Sequence, residues 1–271
     1  MLRDITIGQH FPGNSLVHRF DPRMKIVLTI VYIILLFAAS NPLGLALSLL
    51  FLVGMYGVAK IPFKLIVKSL KPILPIVVFT AVLNRFFVSG EGEPLVRVWV
   101  LTIYAEGVKY AILMAVRVMA LIAGTSLLTY TTSPIVLTDA IEQLLKPLGK
   151  LHFPVHELAM MMSIALRFIP TLIEETDKIM NAQKARGAML DNGKMTERVK
   201  ALVPVLIPLF ISAFRRADEL AMAMECRCYR GGEGRTRLKV LRCDKQDYID
   251  LAVCLVCFAV ILSSRLVFPN F

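Results

Sequence analysis

Long apolar runs alternate with short breaks of proline and charge through the first half of the chain, and one more such run closes it. Asp21-Pro22-Arg23 reads as a helix start, because aspartate accepts free amide hydrogens at an N-cap and proline fits the first helical position. A first apolar helix then extends to about Ala39. Asn41-Pro42 breaks it, and Leu43 to Ala59 forms the second arm of a helical hairpin. Pro72 to Val88, Glu106 to Thr129 and Tyr248 to Val267 are further runs of this kind. Such runs need lipid to cover them, and crossing a hydrocarbon core of about 30 Å takes roughly 20 helical residues. The pattern predicts an all-α, polytopic membrane protein with about five transmembrane helices.

Between Thr131 and Lys245 the character changes: apolar residues recur at helical spacing but are interrupted by charges of both signs and by prolines. Ser133-Pro134 starts a helix that ends near Pro147-Leu148-Gly149. Val155 to Gly187 reads as a longer helix bent at Pro170, and a third helix runs from Thr196 to about Arg227. Within it, Val199 to Phe214 is apolar enough to dip into a membrane. The expected division is a transmembrane region over 1–130, an amphipathic helical region over 131–245 and a last transmembrane helix over 246–271.

Smaller features refine the plan. Lys60, Lys64, Lys68 and Lys71 recur every three or four residues, which predicts one helix at the membrane surface with its lysines on a single face. Gly90 to Pro94 reads as a loop, followed by a short β-like run from Leu95 to Ile103. Arg117, near the middle of a predicted span, should face other helices or water, since a charge there costs about 2.5–3.5 kcal/mol on insertion scales.

Composition agrees. Of 271 residues 56% are hydrophobic and 19% charged, against about 25% charged in a soluble domain. A net charge of +11 could attract nucleic acid, yet the lysines and arginines fall mainly between apolar segments. A cell-membrane topology with the basic segments, the amino terminus and the amphipathic helices in the cytoplasm explains them, and no nucleic-acid partner is expected. Leu28 to Ala39 is preceded by more than twenty residues with an apparent turn at Pro12-Gly13, so it reads as a first transmembrane helix rather than a signal peptide.

No catalytic machinery is legible. The glycine-rich stretch Gly231 to Thr236 lacks the lysine of a phosphate-binding loop. His152 and His156 are separated by Pro154, which argues against one ligating helical face, and no carboxylate completes a known zinc motif. Five cysteines outside any loop-rich secreted frame read as free thiols; Cys254 and Cys257 suit packing, and Cys226, Cys228 and Cys243 lack a second close pair for a metal. No enzyme activity, metal or cofactor is expected.

Two helix ends carry the functional signal. Gln183-Lys184-Ala185-Arg186-Gly187 ends one amphipathic helix and Met224-Glu225-Cys226-Arg227-Cys228-Tyr229-Arg230-Gly231 ends the next. Helix capping alone would account for one arginine followed by glycine. The duplication suggests more: small neighbours let a partner approach while the guanidinium enters a groove and holds carboxylate or carbonyl oxygens. Duplicated tips suit two equivalent grooves.

Here the sequence resembles the transmembrane T component of energy-coupling factor transporters, a branch of the ABC-type importers. The likeness begins with Gly8 to Ser15 and His18 to Lys25, continues through Thr131-Thr132-Ser133-Pro134, Leu166-Arg167-Phe168-Ile169-Pro170 and Ala182 to Gly187, and ends at Arg227. At that last motif the family has Ala-Arg-Gly where this chain has Cys226-Arg227-Cys228. The resemblance implies that Arg186 and Arg227, with Ala185, Gly187, Cys226 and Cys228 beside them, tip coupling helices docked on two ABC-type ATPase subunits. Those helices would relay nucleotide-driven motion to a membrane-embedded, substrate-binding S component that takes up a vitamin or micronutrient, with Met160, Met161 and Met162 as candidate contacts to it. Two other readings exist: a conventional permease forming the substrate path itself, and a membrane-bound metal-dependent enzyme using His152, His156 and Glu157.

Overall fold

The structure, a computed structural model, describes residues 10–39, 41–87, 96–98, 101–103, 105–151, 153–188, 195–232 and 243–267. The predicted loop at 90–94, His152, the residues 233–236 and the pair Gly8-Gln9 lie outside them. The chain divides into two compact units: a bundle unit over Gly8–Leu137 with Leu241–Phe271, and a paired-helix unit that includes Thr138–Val240.

The bundle unit is built from α1 (Leu16–Arg19), α2 (Pro22–Ala38), α3 (Pro42–Ala59), α4 (Phe63–Leu70), α5 (Leu74–Phe87), α6 (Ala105–Thr131) and α10 (Lys245–Val267). A small antiparallel hairpin, β1 (Val96–Val98) and β2 (Leu101–Ile103), lies where the β-like run was expected. The junction helix α7 (Pro134–Leu145) leads to the long helices α8 (Val155–Ala185) and α9 (Met195–Cys226).

Among the described residues four helices are long and apolar enough to cross a membrane, in the stretches Pro42–Ala59, Tyr110–Thr131, Val155–Ala185 and Gln246–Ser263. The first, second and fourth coincide with predicted spans. The third is α8 itself, which the sequence pattern placed among the amphipathic helices. Two predicted spans fall short of that length: α2 keeps its expected bounds with 17 residues, about 26 Å of helix, and α5, expected over 72–88, is described over 14, about 21 Å. The protein is a helical, polytopic membrane protein.

Residues shared by α2, α3, α6 and α10 form the core: Tyr32, Leu36, Leu52, Tyr56, Ala120, Ala123, Phe258 and Ile261 are all buried. Small residues on α6 let the other helices close in. Tyr56 donates its hydroxyl to the Ala123 carbonyl at 2.7 Å. Gly124 faces the Tyr32 ring so closely that an added Cβ would lie 2.7 Å from Tyr32 Cε1. The opposite faces present Ile34, Leu50, Val53 and Val256, each more than 60% exposed, the surface that lipid covers.

Polar residues pin the helix ends of this unit. Asp21 is the N-cap of α2, accepting from Arg23 N at 2.8 Å, and its own amide donates to Asp247 Oδ1 at 3.0 Å at the start of α10. Lys25, 7% exposed, donates to the carbonyls of His18 at 3.1 Å and Thr131 at 3.2 Å and to Thr132 Oγ1 at 3.4 Å. One buried ammonium thus ties α1, α2 and the end of α6, and two segments that carried the family resemblance, His18 to Lys25 and Thr131 to Pro134, meet at it. Arg117 turns from lipid to the end of α2, donating from Nη2 to the Ala39 carbonyl at 2.6 Å, where a cation also complements the helix dipole.

The expected lysine helix does not form as one element. Lys60 closes α3 in the left-handed conformation (φ +54°), and Pro62 keeps Ile61 out of a helical backbone, so α4 carries only Lys64 and Lys68. Lys71 opens a 3-10 turn, Lys71–Ile73, ahead of α5.

Candidate partner-docking site

Helices α8 and α9 of the paired-helix unit have 31 and 32 residues, about 46–48 Å at helical rise. Each runs unbroken through its internal prolines, Pro170 in α8 and Pro204 and Pro208 in α9. Their contacts fix an antiparallel register. Gln183 Nε2 donates to the Pro204 carbonyl at 3.3 Å, Glu175 accepts from Ser212 and Arg216, and Phe168 and Leu172 share an apolar groove with Ala217, Leu220 and Met224. Residue numbers fall in α8 as they rise in α9. The carboxyl end of α8 therefore lies beside the start of α9, and the carboxyl end of α9 lies beside the start of α8. In that register the two carboxyl ends are roughly 40 Å apart along the pair.

Both ends close in the same way. At α8, Gly187 N donates to Lys184 O at 3.0 Å and Ala188 N to Gln183 O at 3.0 Å, with Gly187 left-handed at φ +88°. At α9, Cys228 N donates to Glu225 O at 2.8 Å and Tyr229 N to Met224 O at 3.0 Å, with Cys228 left-handed at φ +55°. This pair of bonds around one left-handed residue is the Schellman ending. Arg186 and Arg227 occupy the same position in it, the last residue before the left-handed one. Only their backbones serve the cap: both side chains are exposed, and among the described residues neither guanidinium forms a hydrogen bond or ion pair. Ala185, Gly187, Cys226 and Cys228 are exposed beside them.

The predicted site residues thus form two separate clusters, Ala185-Arg186-Gly187 and Cys226-Arg227-Cys228, at opposite ends of one rod. Met160 is half-buried, while Met161 and Met162 are 54% and 55% exposed near the start of α8, the end that also carries Arg227. On α9 the residues Ile207, Phe210, Ile211 and Phe214 are each more than half exposed, a wide apolar face on the segment expected to dip into the membrane.

Pattern reading of the sequence missed one contact at the Arg227 end. His156 Nδ1 pairs with Glu142 Oε1 of α7 at 3.0 Å, and the backbone at Gly232 lies on the imidazole, where an added Cβ would sit 2.7 Å from Cδ2. The chain leaving α9 is thereby pinned to the start of α8. His156 is occupied by this packing, Glu157 is exposed, and no group of three His, Cys, Asp or Glu able to hold a metal occurs among the described residues. His152, the third residue of the enzyme reading, lies outside them.

Spanning helices and a helix pair with an exposed arginine at each carboxyl end mark a polytopic membrane protein, and comparison with known proteins specifies which kind. Residues 13–238 match the family described as CbiQ, cobalt transport protein. The chain is 54% identical over 266 residues to the energy-coupling factor transporter transmembrane protein EcfT of Clostridium kluyveri, covering 98% of each chain. It is 54% identical over 269 residues to the protein of that name from Ruminiclostridium cellulolyticum, covering 99% of this chain and 100% of the relative. With the Bacillus subtilis protein of that name it shares 48% identity over 262 residues, covering 97% and 98%. The chain belongs to the family of energy-coupling factor transporter transmembrane proteins. It is a transporter subunit rather than an enzyme, and neither the permease nor the metalloenzyme reading gains support.

Proposed function

We propose that this chain couples two ABC-type ATPase subunits to a substrate-binding S component, with Arg186 and Arg227 as the two points of grip. The observation that carries this reading is the repetition of one helix ending, with its arginine exposed at the same position, at both ends of an antiparallel pair. A separation of roughly 40 Å exceeds the diameter of a small domain, whose radius of gyration is about 13 Å. Two tips so placed suit one ATPase subunit each rather than two contacts on one. Each guanidinium offers a planar fork to carboxylate or carbonyl oxygens in a groove, and Ala185, Gly187, Cys226 and Cys228 leave room for its walls.

In this reading ATP-driven closure of the two subunits moves the tips, and the rigid pair passes the motion to the S component. Met161, Met162 and the exposed α9 face provide apolar surface for that partner, with Met160 half-buried beside them. The docking tips and the amino terminus face the cytoplasm, where ATP is available, in agreement with the basic segments between spans.

Arg186→Glu and Arg227→Glu together test the proposal. The exchange costs each cap at most about 1 kcal/mol through the helix dipole, whereas loss of a buried interface arginine costs about 2 kcal/mol or more. The double variant should insert and purify normally yet lose the ATPase subunits on co-purification and abolish uptake. Undiminished co-purification would overturn the coupling role.

A further inference from the structure

The bundle unit contains a half-open cavity of about 280 Å³ between α1, α2, α3, α6 and α10. Its floor is sealed by Tyr32, Leu52 and Phe258, each 6% exposed or less, whereas Leu16, Val58 and Val253 on its rim are 47% exposed or more. The charged part of the lining is confined to one end. Lys25, Thr29, Thr131 and Asp250 lie there, level with the pinned helix ends, and the lining deeper in is apolar and aromatic apart from the hydroxyl of Tyr32, which is buried without a hydrogen-bond partner among the described residues.

Water finds few partners in the deep part of the cavity, where the Tyr32 hydroxyl stands among apolar side chains. A buried water needs about 2–4 polar partners, and the Lys25 ammonium is already engaged by the His18 and Thr131 carbonyls and the Thr132 hydroxyl. The Thr29 hydroxyl donates back to the Lys25 carbonyl at 2.7 Å. The rim residues Leu16, Val58 and Val253 are apolar, and three of the walls, α3, α6 and α10, include stretches that qualify as spans, which makes lipid the fluid at hand. The depth also fits. From Lys25 to Tyr32 on α2, Thr131 to Gly124 on α6 and Asp250 to Phe258 on α10 is about 10–12 Å of helix, most of one leaflet of a core about 30 Å thick.

We propose that this cavity is a binding site for one acyl chain of a membrane phospholipid. The chain enters past Val58 and Val253, its end lies against Tyr32 and Phe258, and its headgroup stays at the polar end. A lipid seated there fills a space that α2, α3, α6 and α10 leave open, acting as a structural ligand of the bundle. The site does not depend on the docking of any ATPase.

The test uses the full chain in vesicles of phosphatidylethanolamine and phosphatidylglycerol doped with a phospholipid bearing a diazirine near its chain end. After illumination, peptide mapping of the wild type should place the dominant adduct on cavity residues such as Leu128, Val253 and Cys254. Val253→Phe and Leu128→Trp, which fill the space from two different walls, should each cut that adduct at least tenfold. Val256→Phe, on an exposed face of α10 outside the lining, should leave it unchanged. Adducts spread evenly over lipid-facing residues such as Ile34 and Val256, or equal labelling in all three variants, would overturn the proposal. Because the wild-type map is read without any substitution, a variant that fails to fold does not remove the test.

Discussion

Glycine in place of Cys228 should tighten the tip of α9, and alanine in place of Gly187 should loosen the tip of α8. Both residues sit at the left-handed position of a Schellman ending, at φ +55° and φ +88°. A side chain there brings Cβ against the following carbonyl at a cost of about 1–2 kcal/mol, and glycine returns about 0.5–1 kcal/mol of that through its greater freedom when the end frays. The net gain for Cys228→Gly is therefore about 0.5–1 kcal/mol, and the net loss for Gly187→Ala is similar or larger. An added Cβ at Gly187 meets nothing within 4 Å, so the backbone angle alone sets that cost. Hydrogen exchange at the capping amides reads the effect directly. Exchange at Cys228 and Tyr229, bonded to Glu225 and Met224, should slow about two- to fivefold with glycine, as tenfold corresponds to about 1.4 kcal/mol. Exchange at Gly187 and Ala188 should quicken by at least as much with alanine. If Cys228→Gly left exchange unchanged or sped it up, the shared geometry of the two ends would be refuted.

Two further outcomes follow from the bundle unit. Burial alone would raise the Asp21 carboxyl, but hydrogen bonds from Arg23 and Cys243 and the nearby guanidinium hold it below the usual carboxylate range. A depressed folded value stabilises above the ordinary value near 4 and loses that contribution as pH falls through the folded value, so acid titration of the melting temperature should fall more steeply for wild type than for Asp21→Asn. Gly124→Ala should destabilise by about 1–3 kcal/mol through overpacking, since the new methyl would stand 2.7 Å from Tyr32 Cε1; a melting temperature in detergent equal to that of wild type would show that the two helices can move apart freely.

Helix positions were largely legible from the sequence because proline and polar caps punctuate it. Asp21-Pro22 and Asn41-Pro42 start α2 and α3 where the pattern placed them, and α9 begins one residue from the expected Thr196. The lysine helix was misread because the spacing of Lys60 to Lys71 satisfies a helical period, while Pro62 and a left-handed Lys60 interrupt the backbone beneath it. Arg186 and Arg227 were visible as a repeat, and Gly187 hinted at the cap. At the second end the left-handed residue is Cys228, a residue type that gives no such hint, although Tyr229 and Met224, bonded there through their backbones, are of the apolar types that often accompany this ending. The antiparallel register depends on contacts such as Glu175 with Arg216, and charges forty residues apart carry no periodic signal. The Glu142–His156 pair was hidden for the same reason.

Lys25 has a consequence for how the protein is made. Two of its three acceptors belong to Thr131 and Thr132, the first of them 106 positions downstream, and at about 5–20 residues per second that stretch takes the ribosome roughly 5–20 s to produce. Through that interval the nascent first helix holds an ammonium with only the His18 carbonyl to receive it, so it waits near the headgroups. The latch shuts when the far end of α6 emerges, which makes final seating of the earliest helix a late step in assembly.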